Sequence, residues 1–160
     1  MKTTRKKNIL LTAAILAVAA VSVFLFLSLR EPCLTLTEQE SGRVLARLPL
    51  ADGESFSVTF RHSVNKSDVT EIYQRRGKEL WLTGCVYYDF GAGVAEVLEP
   101  SWTLETGEDG EMILGNIETR MDDLNYIVGT VYDHILEIGG ERIVLNERFG
   151  RNTKIHFSIR

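Results

Sequence analysis

The chain has little cysteine and little proline, and no Cys/His grouping at zinc-ligand spacing. Two cysteines, Cys33 and Cys85, cannot build a multi-bridge scaffold, and the absence of a C-x-x-C pair argues against a structural zinc site. No G-x-S-x-G elbow and no P-loop lysine occurs, so the common serine-hydrolase and nucleotide-binding signatures are missing. In an oxidising compartment Cys33 and Cys85 could form one disulfide. Cys85 lies in a strand-like apolar run, however, and a buried free thiol is the competing reading.

A second absence is more informative. Residues 1–30 contain no acidic side chain. Lys2, Arg5, Lys6 and Lys7 lead into an uncharged, mainly apolar run of 21 residues from Ile9 to Leu29, closed by Arg30. At about 1.5 Å per residue a helix over that run spans roughly 30 Å, the thickness of a bilayer core. The small-x-small stretch Ala17-Val18-Ala19 falls in the middle of the run and is followed by further apolar residues, so an uncleaved transmembrane helix fits better than a cleaved signal. The basic side belongs in the cytoplasm by the positive-inside rule. The expected organisation is a cytoplasmic basic end and membrane anchor at 1–30, then an extracytoplasmic domain at 31–160. Pro32 stops the helix and no low-complexity linker follows, so the domain should sit close to the membrane.

Five of the 18 basic residues and none of the 22 acidic ones lie in 1–30, which leaves 13 against 22 and a net charge of −9 on residues 31–160. That charge disfavours nucleic acid and anionic lipid headgroups as partners. Acidic residues concentrate at Glu96, Glu99, Glu105, Glu108, Asp109, Glu111, Glu118, Asp122 and Asp123, but at no calcium-loop spacing, and the pattern reads as a solvated face.

Almost every segment of 31–160 reads as strand and turn. Leu34–Thr37 alternates, and Arg43–Leu48 follows a Ser41-Gly42 turn. Asp52-Gly53 signals a hairpin into 55–62, where Phe56, Val58 and Phe60 occupy one face and Ser55, Ser57, Thr59 and Arg61 the other. Strands are expected at 69–75, 79–88, 102–104, 112–114, 125–128, 131–138, 142–146 and 154–159, with a hairpin turn at Gly139-Gly140 and one short helix at Glu118–Leu124. The expectation is an all-β fold, an antiparallel β-sandwich or partly open barrel, after one N-terminal transmembrane helix.

The densest polar grouping runs from Arg61 to Tyr73. His62 continues the apolar face of 56–60 at period two. If residues 62 and 69 end a pair of strands, Glu71 stands opposite Phe60 and Tyr73 opposite Val58, with His62 and Glu71 as diagonal neighbours. This grouping reads either as a polar pair fixing a hairpin or as a binding site. Ser63 beside His62 points to the opposite face in a strand, a poor geometry for a Ser–His nucleophile. The second grouping is Tyr88-Asp89-Phe90-Gly91-Ala92-Gly93-Val94, where the glycines permit a tight bend or a backbone-lined rim. His134 and His156 lie in strands without ligand spacing and read as structural.

Together, "HSVNKSDVTEIYQ" and "YYDFGAGVAE" resemble the DUF1850 family of small extracytoplasmic proteins, and "HILEIGGERIVL" looks like its final hairpin. The resemblance carries over to His62, Ser63, Val64, Val69, Glu71 and Tyr73, then to Gly91, Ala92 and Gly93; Asp68 and Ala95 stand where the family often has proline. It implies a binding surface at His62, Ser63, Glu71, Tyr73 and Gly91–Gly93. It further implies an accessory role beside tripartite (TRAP) transporters that use TAXI-type solute-binding proteins, with the membrane subunit or the solute-binding protein as partner. On this expectation the protein is not an enzyme and needs no cofactor. The alternatives are a stand-alone small-molecule or divalent-cation binding module and, further off, a hydrolase.

Overall fold

The computed structural model describes residues 16, 18, 19, 21, 22, 32–63, 66–88 and 99–160. The chain divides into two compact units, 1–31 and Pro32–Arg160. Leu16, Val18, Ala19, Val21 and Ser22 of the first unit have helical backbone. The expected membrane anchor lies mostly outside the described residues, and among those described no helix is long and apolar enough to cross a membrane.

The second unit is all-β. Its strands are β1 (Cys33–Glu38), β2 (Val44–Pro49), β3 (Ser55–Arg61), β4 (Asp68–Arg76), β5 (Glu79–Tyr87), β6 (Thr103–Thr106), β7 (Met112–Met121), β8 (Leu124–Ile127), β9 (His134–Ile138), β10 (Glu141–Val144) and β11 (Lys154–Ile159). One short helix, α1 (Leu145–Phe149), follows β10 and ends at Gly150, whose φ of 92° leaves the helical region. A four-stranded sheet has the order β2-β1-β11-β8, and a seven-stranded sheet the order β10-β9-β3-β4-β5-β7-β6. Every strand pair in both sheets is antiparallel.

The two sheets share one core. Leu34, Leu36, Ile155, Phe157, Leu124 and Tyr126 come from the smaller sheet, and Phe56, Val58, Tyr73, Leu136 and Ile138 from the larger. Phe56 stacks on Tyr73 within its own sheet (centroids 5.2 Å apart) and on Phe157 of the other (6.0 Å). These inward positions follow the period-two alternation of the strands. The larger sheet extends further and carries a second cluster, Tyr87, Met112, Leu114 and Ile117, with Cys85 and Trp102 against it.

Three expectations are corrected. Glu118–Leu124 is not a helix: β7 runs through Met121 because Thr119 and Met121 pair with Leu82 and Leu80 of β5, and a turn then leads into β8. Cross-strand pairing overrides the weak local helical preference here. The Asp52-Gly53 turn forms, with Gly53 at φ 83°, but makes no hairpin; it carries the chain from β2 in one sheet to β3 in the other. Residues 145 and 146, expected in a strand, open α1. The Gly139-Gly140 turn does close a hairpin, β9–β10, with φ of 56° and 80° at the two glycines, as a two-residue hairpin turn requires.

Arg75 ties the turn region to the rest of the domain. Only 5% exposed, its guanidinium donates to the carbonyls of Gly77 (2.8 Å), Pro32 (2.9 Å) and Leu50. Its own backbone exchanges bonds with Gly53 and Glu54. One side chain thus fixes the start of β1, the β2–β3 connection and the end of β4.

Candidate functional site

The register of β3 against β4 decides which residues meet. Val58 stands opposite Glu71, Phe56 opposite Tyr73 and Phe60 opposite Val69. This differs by two residues from the register read in the sequence. A two-residue slip preserves the face, so Glu71 and Tyr73 still share the inward side with Phe56 and Val58. It also separates His62 from Glu71. Val58, the partner of Glu71, lies four residues before His62, about 13 Å along a strand at ~3.3 Å per residue. His62 and Ser63 lie in the hairpin loop beyond β3, closed by bonds from the His62 amide to the Ser67 carbonyl (2.8 Å) and from the Lys66 amide to the His62 carbonyl (2.9 Å). The Arg61–Asp68 pair, at 2.8 Å, brackets this loop. Gly91, Ala92 and Gly93 lie outside the described residues.

Glu71 and Tyr73 are joined instead by a residue from the opposite sheet. Tyr126 of β8 donates its hydroxyl to Glu71 Oε2, Tyr73 donates to the same oxygen at 2.9 Å, and the two phenol oxygens are 2.7 Å apart. The triangle bridges β4 and β8 across the core. Burial, and then the Glu71 charge, raise the Tyr73 pKa; burial, followed by Tyr73 and Glu71, raises that of Tyr126. Both phenols therefore stay protonated and act as donors to the carboxylate. Among the described residues Glu71 accepts through Oε2 alone, which leaves Oε1 as an acceptor.

Aromatic rings wall the triangle. Tyr126 packs edge-on to Phe157 (5.5 Å) and tilts against Phe60 (6.1 Å). His134 of β9, opposite Phe60, stacks on that ring at 5.5 Å and meets Tyr126 edge-on at 6.1 Å. Burial lowers the His134 pKa, opposed by the Tyr132 carbonyl, Asp133 and Glu71. The sequence reading left Tyr126 out of the grouping and read His134 as structural. Tyr126 occupies the inward place in the alternation Leu124-x-Tyr126-x-Val128, and a phenol on a buried face needs a partner; that signal was available.

Cys33 and Cys85 are both free thiols, on different sheets. Cys33 Sγ donates to the Arg160 carbonyl at 3.4 Å. Cys85 stands opposite Glu71 on β5, and burial followed by the Glu71 charge pushes its thiol up to about 12. A thiol so placed is a poor nucleophile at neutral pH. In the folded chain at pH 8, iodoacetamide should label Cys85 at least about a hundredfold more slowly than in the unfolded chain, read by mass spectrometry; equal rates would refute this placement of thiol beside carboxylate.

The acidic run disperses into local pairings. Glu118 binds Arg76, Asp122 binds Arg120 at 2.6 Å, and Glu111 accepts from the Asp109 amide at 3.0 Å. Among the described residues no group of three or more His, Cys, Asp or Glu side chains could hold a metal ion. What the arrangement offers is a carboxylate fixed by two neutral donors at the seam of the two sheets, its other oxygen bonded to none of the described residues.

Compared with known proteins, residues 56–145 match the model of a family described as a domain of unknown function, DUF1850. No curated protein and no solved structure matches the chain.

Proposed function

The chain belongs to the DUF1850 family, and on that premise we propose that it is a membrane-anchored extracytoplasmic accessory protein of a TAXI-type TRAP transporter. It acts by binding the transporter's membrane subunit or its solute-binding protein. Residues 1–30 hold it in the cytoplasmic membrane with the N-terminus inside, and the domain works on the outer side. The observation that carries a binding rather than a catalytic reading is the Glu71 triangle. Its hydroxyls are protonated donors, its neighbouring thiol is held up by burial, and Ser63 stands on a separate loop. Such a group is suited to recognising a ligand, because its hydroxyls and the neighbouring thiol are held in their un-ionised, weakly nucleophilic forms.

The test is co-purification of the full anchored chain with the transporter components from membranes. Glu71→Gln, which keeps shape and removes the charge, should reduce the recovered partner at least fivefold while the circular dichroism spectrum stays unchanged. Undiminished association of both Glu71→Gln and His62→Ala refutes the proposed surface.

Glu71 Oε1, which bonds to none of the described residues, supports a second reading, a stand-alone module for a small cationic solute or a divalent cation. A thermal shift of the purified chain with calcium or with a candidate solute, lost in Glu71→Gln, would favour it over the accessory role.

A further inference from the structure

Residues 128–133 join Tyr126 of the smaller sheet to His134 of the larger, and they carry a hydrogen-bonding choice that the Glu71 triangle does not require. The Gly129 amide donates to Nδ1 of His134 at 3.1 Å. That nitrogen therefore bears no proton, and the ring is the neutral tautomer protonated at Nε2. The Tyr132 carbonyl crowds the same corner. A Cβ built on Gly129 would stand 2.4 Å from the Tyr132 oxygen and 3.3 Å from His134 Nδ1. The ring thus meets two backbone groups of opposite sense, an N–H that needs an acceptor at Nδ1 and a Tyr132 carbonyl that favours the protonated form.

Among the described residues the charged and titratable groups around the ring are few. Glu71 faces it from β4 and Tyr126 from β8, and Tyr132 and Asp133 lie on its own segment. Asp133 is already engaged by Asn146 (2.6 Å) and Arg151 (3.6 Å). Arg151 also donates to the Gly129 and Thr130 carbonyls, at 3.3 and 2.9 Å. From β3, Arg61 lies over the Tyr132 ring at 5.6 Å, and Phe60 covers the face of the imidazole.

We propose that residues 128–133 form an acid-released latch on the Glu71 site: protonation of His134 at Nδ1 breaks the bond from the Gly129 amide, turns that nitrogen to the Tyr132 carbonyl, and loosens the segment that joins Tyr126 to His134. The proton comes from solvent, and only hydrogen bonds change. The consequence for binding rests on the reading of Glu71 given above; the latch itself does not. Burial lowers the pKa of His134 in the folded state, so the neutral ring and its bond are fully present above the ordinary value of about 6.5. They are lost as pH falls through the lowered value, because the unfolded or unlatched ring binds the proton more readily.

The latch is tested on the full chain in detergent by amide exchange, with each rate divided by the intrinsic rate at the same pH. Gly129 protection should fall at least tenfold between pH 7.5 and pH 4.5. In His134→Gln, whose side-chain oxygen accepts a hydrogen bond and does not titrate, it should be equal at the two pH values. A change under twofold in the wild type, or the same fall in the variant, overturns the latch. Nitrogen resonances of the wild-type imidazole give an independent check: a proton on Nδ1 at pH 7.5 also overturns it. Co-purification at pH 7.5 tests the transporter reading separately, so either idea can fail without the other.

Discussion

Arg75→Ala should lower the stability of the domain by about 3–5 kcal/mol, more than any surface substitution. The side chain is buried, and three backbone carbonyls depend on it. Truncation leaves the carbonyls of Pro32, Leu50 and Gly77 without this donor and opens a cavity the size of a guanidinium. An unsatisfied buried acceptor costs roughly 1–3 kcal/mol, and partial entry of water offsets some of that sum. For a domain of this size the loss corresponds to a fall in Tm on the order of 10–20 °C, read by thermal unfolding. Arg75→Lys keeps the charge but cannot reach three carbonyls from one planar fork, so it should recover only part of the loss. A fall of less than about 1 kcal/mol for Arg75→Ala would mean that the clamp is incidental.

The second large effect belongs to Tyr126. Tyr126→Phe removes the hydroxyl that meets both Glu71 and Tyr73 while keeping the ring against Phe157 and Phe60. Hydrogen bonds to a charged group contribute about 1.5–3 kcal/mol, so a loss of about 2–3 kcal/mol is expected in urea unfolding. The sharper measurement is the double-mutant cycle with Glu71→Gln. If the carboxylate and phenol act as a unit, the two losses fall short of additivity by about 1–2 kcal/mol. Strict additivity would show that the two groups are near each other without being coupled.

What the sequence disclosed, and what it did not, divides by the distance over which residues interact. Phe56, Val58 and Phe60 announce their strand by alternation, and Glu71 and Tyr73 keep the predicted inward face although the register is two residues off. The face survives because it depends only on parity. The register depends on the loop: the paired strands end at Arg61 and Asp68, and Lys66 takes a positive φ of 55° inside the turn. No periodicity encodes that. Asp52-Gly53 shows the same limit, since a turn signal states that the chain reverses but not whether it stays in the same sheet. Tyr126 lies 53 positions beyond Tyr73, on the other sheet. Its strand's alternation marks Tyr126 as an inward phenol that needs a partner, but that the partner is Tyr73 follows from the packing of two sheets, which no local pattern encodes. The same holds for Arg75, whose carbonyl partners lie in three separate stretches, before β1, between β2 and β3 and between β4 and β5.

The pairing of Cys33 with Arg160 carries a mechanical consequence. The Cys33 amide donates to the Arg160 carbonyl at 2.8 Å, and the Arg160 amide returns a bond to the Cys33 carbonyl at 3.1 Å. The first residue of β1 and the residue just after β11 therefore form one rung of the same antiparallel ladder. Tension applied between residues 33 and 160 loads that rung alone, then the next, and peels the two strands apart one step at a time; it does not shear the whole ladder at once. By the same geometry, a probe attached at residue 160 reports the position at which the polypeptide enters the domain at residue 33.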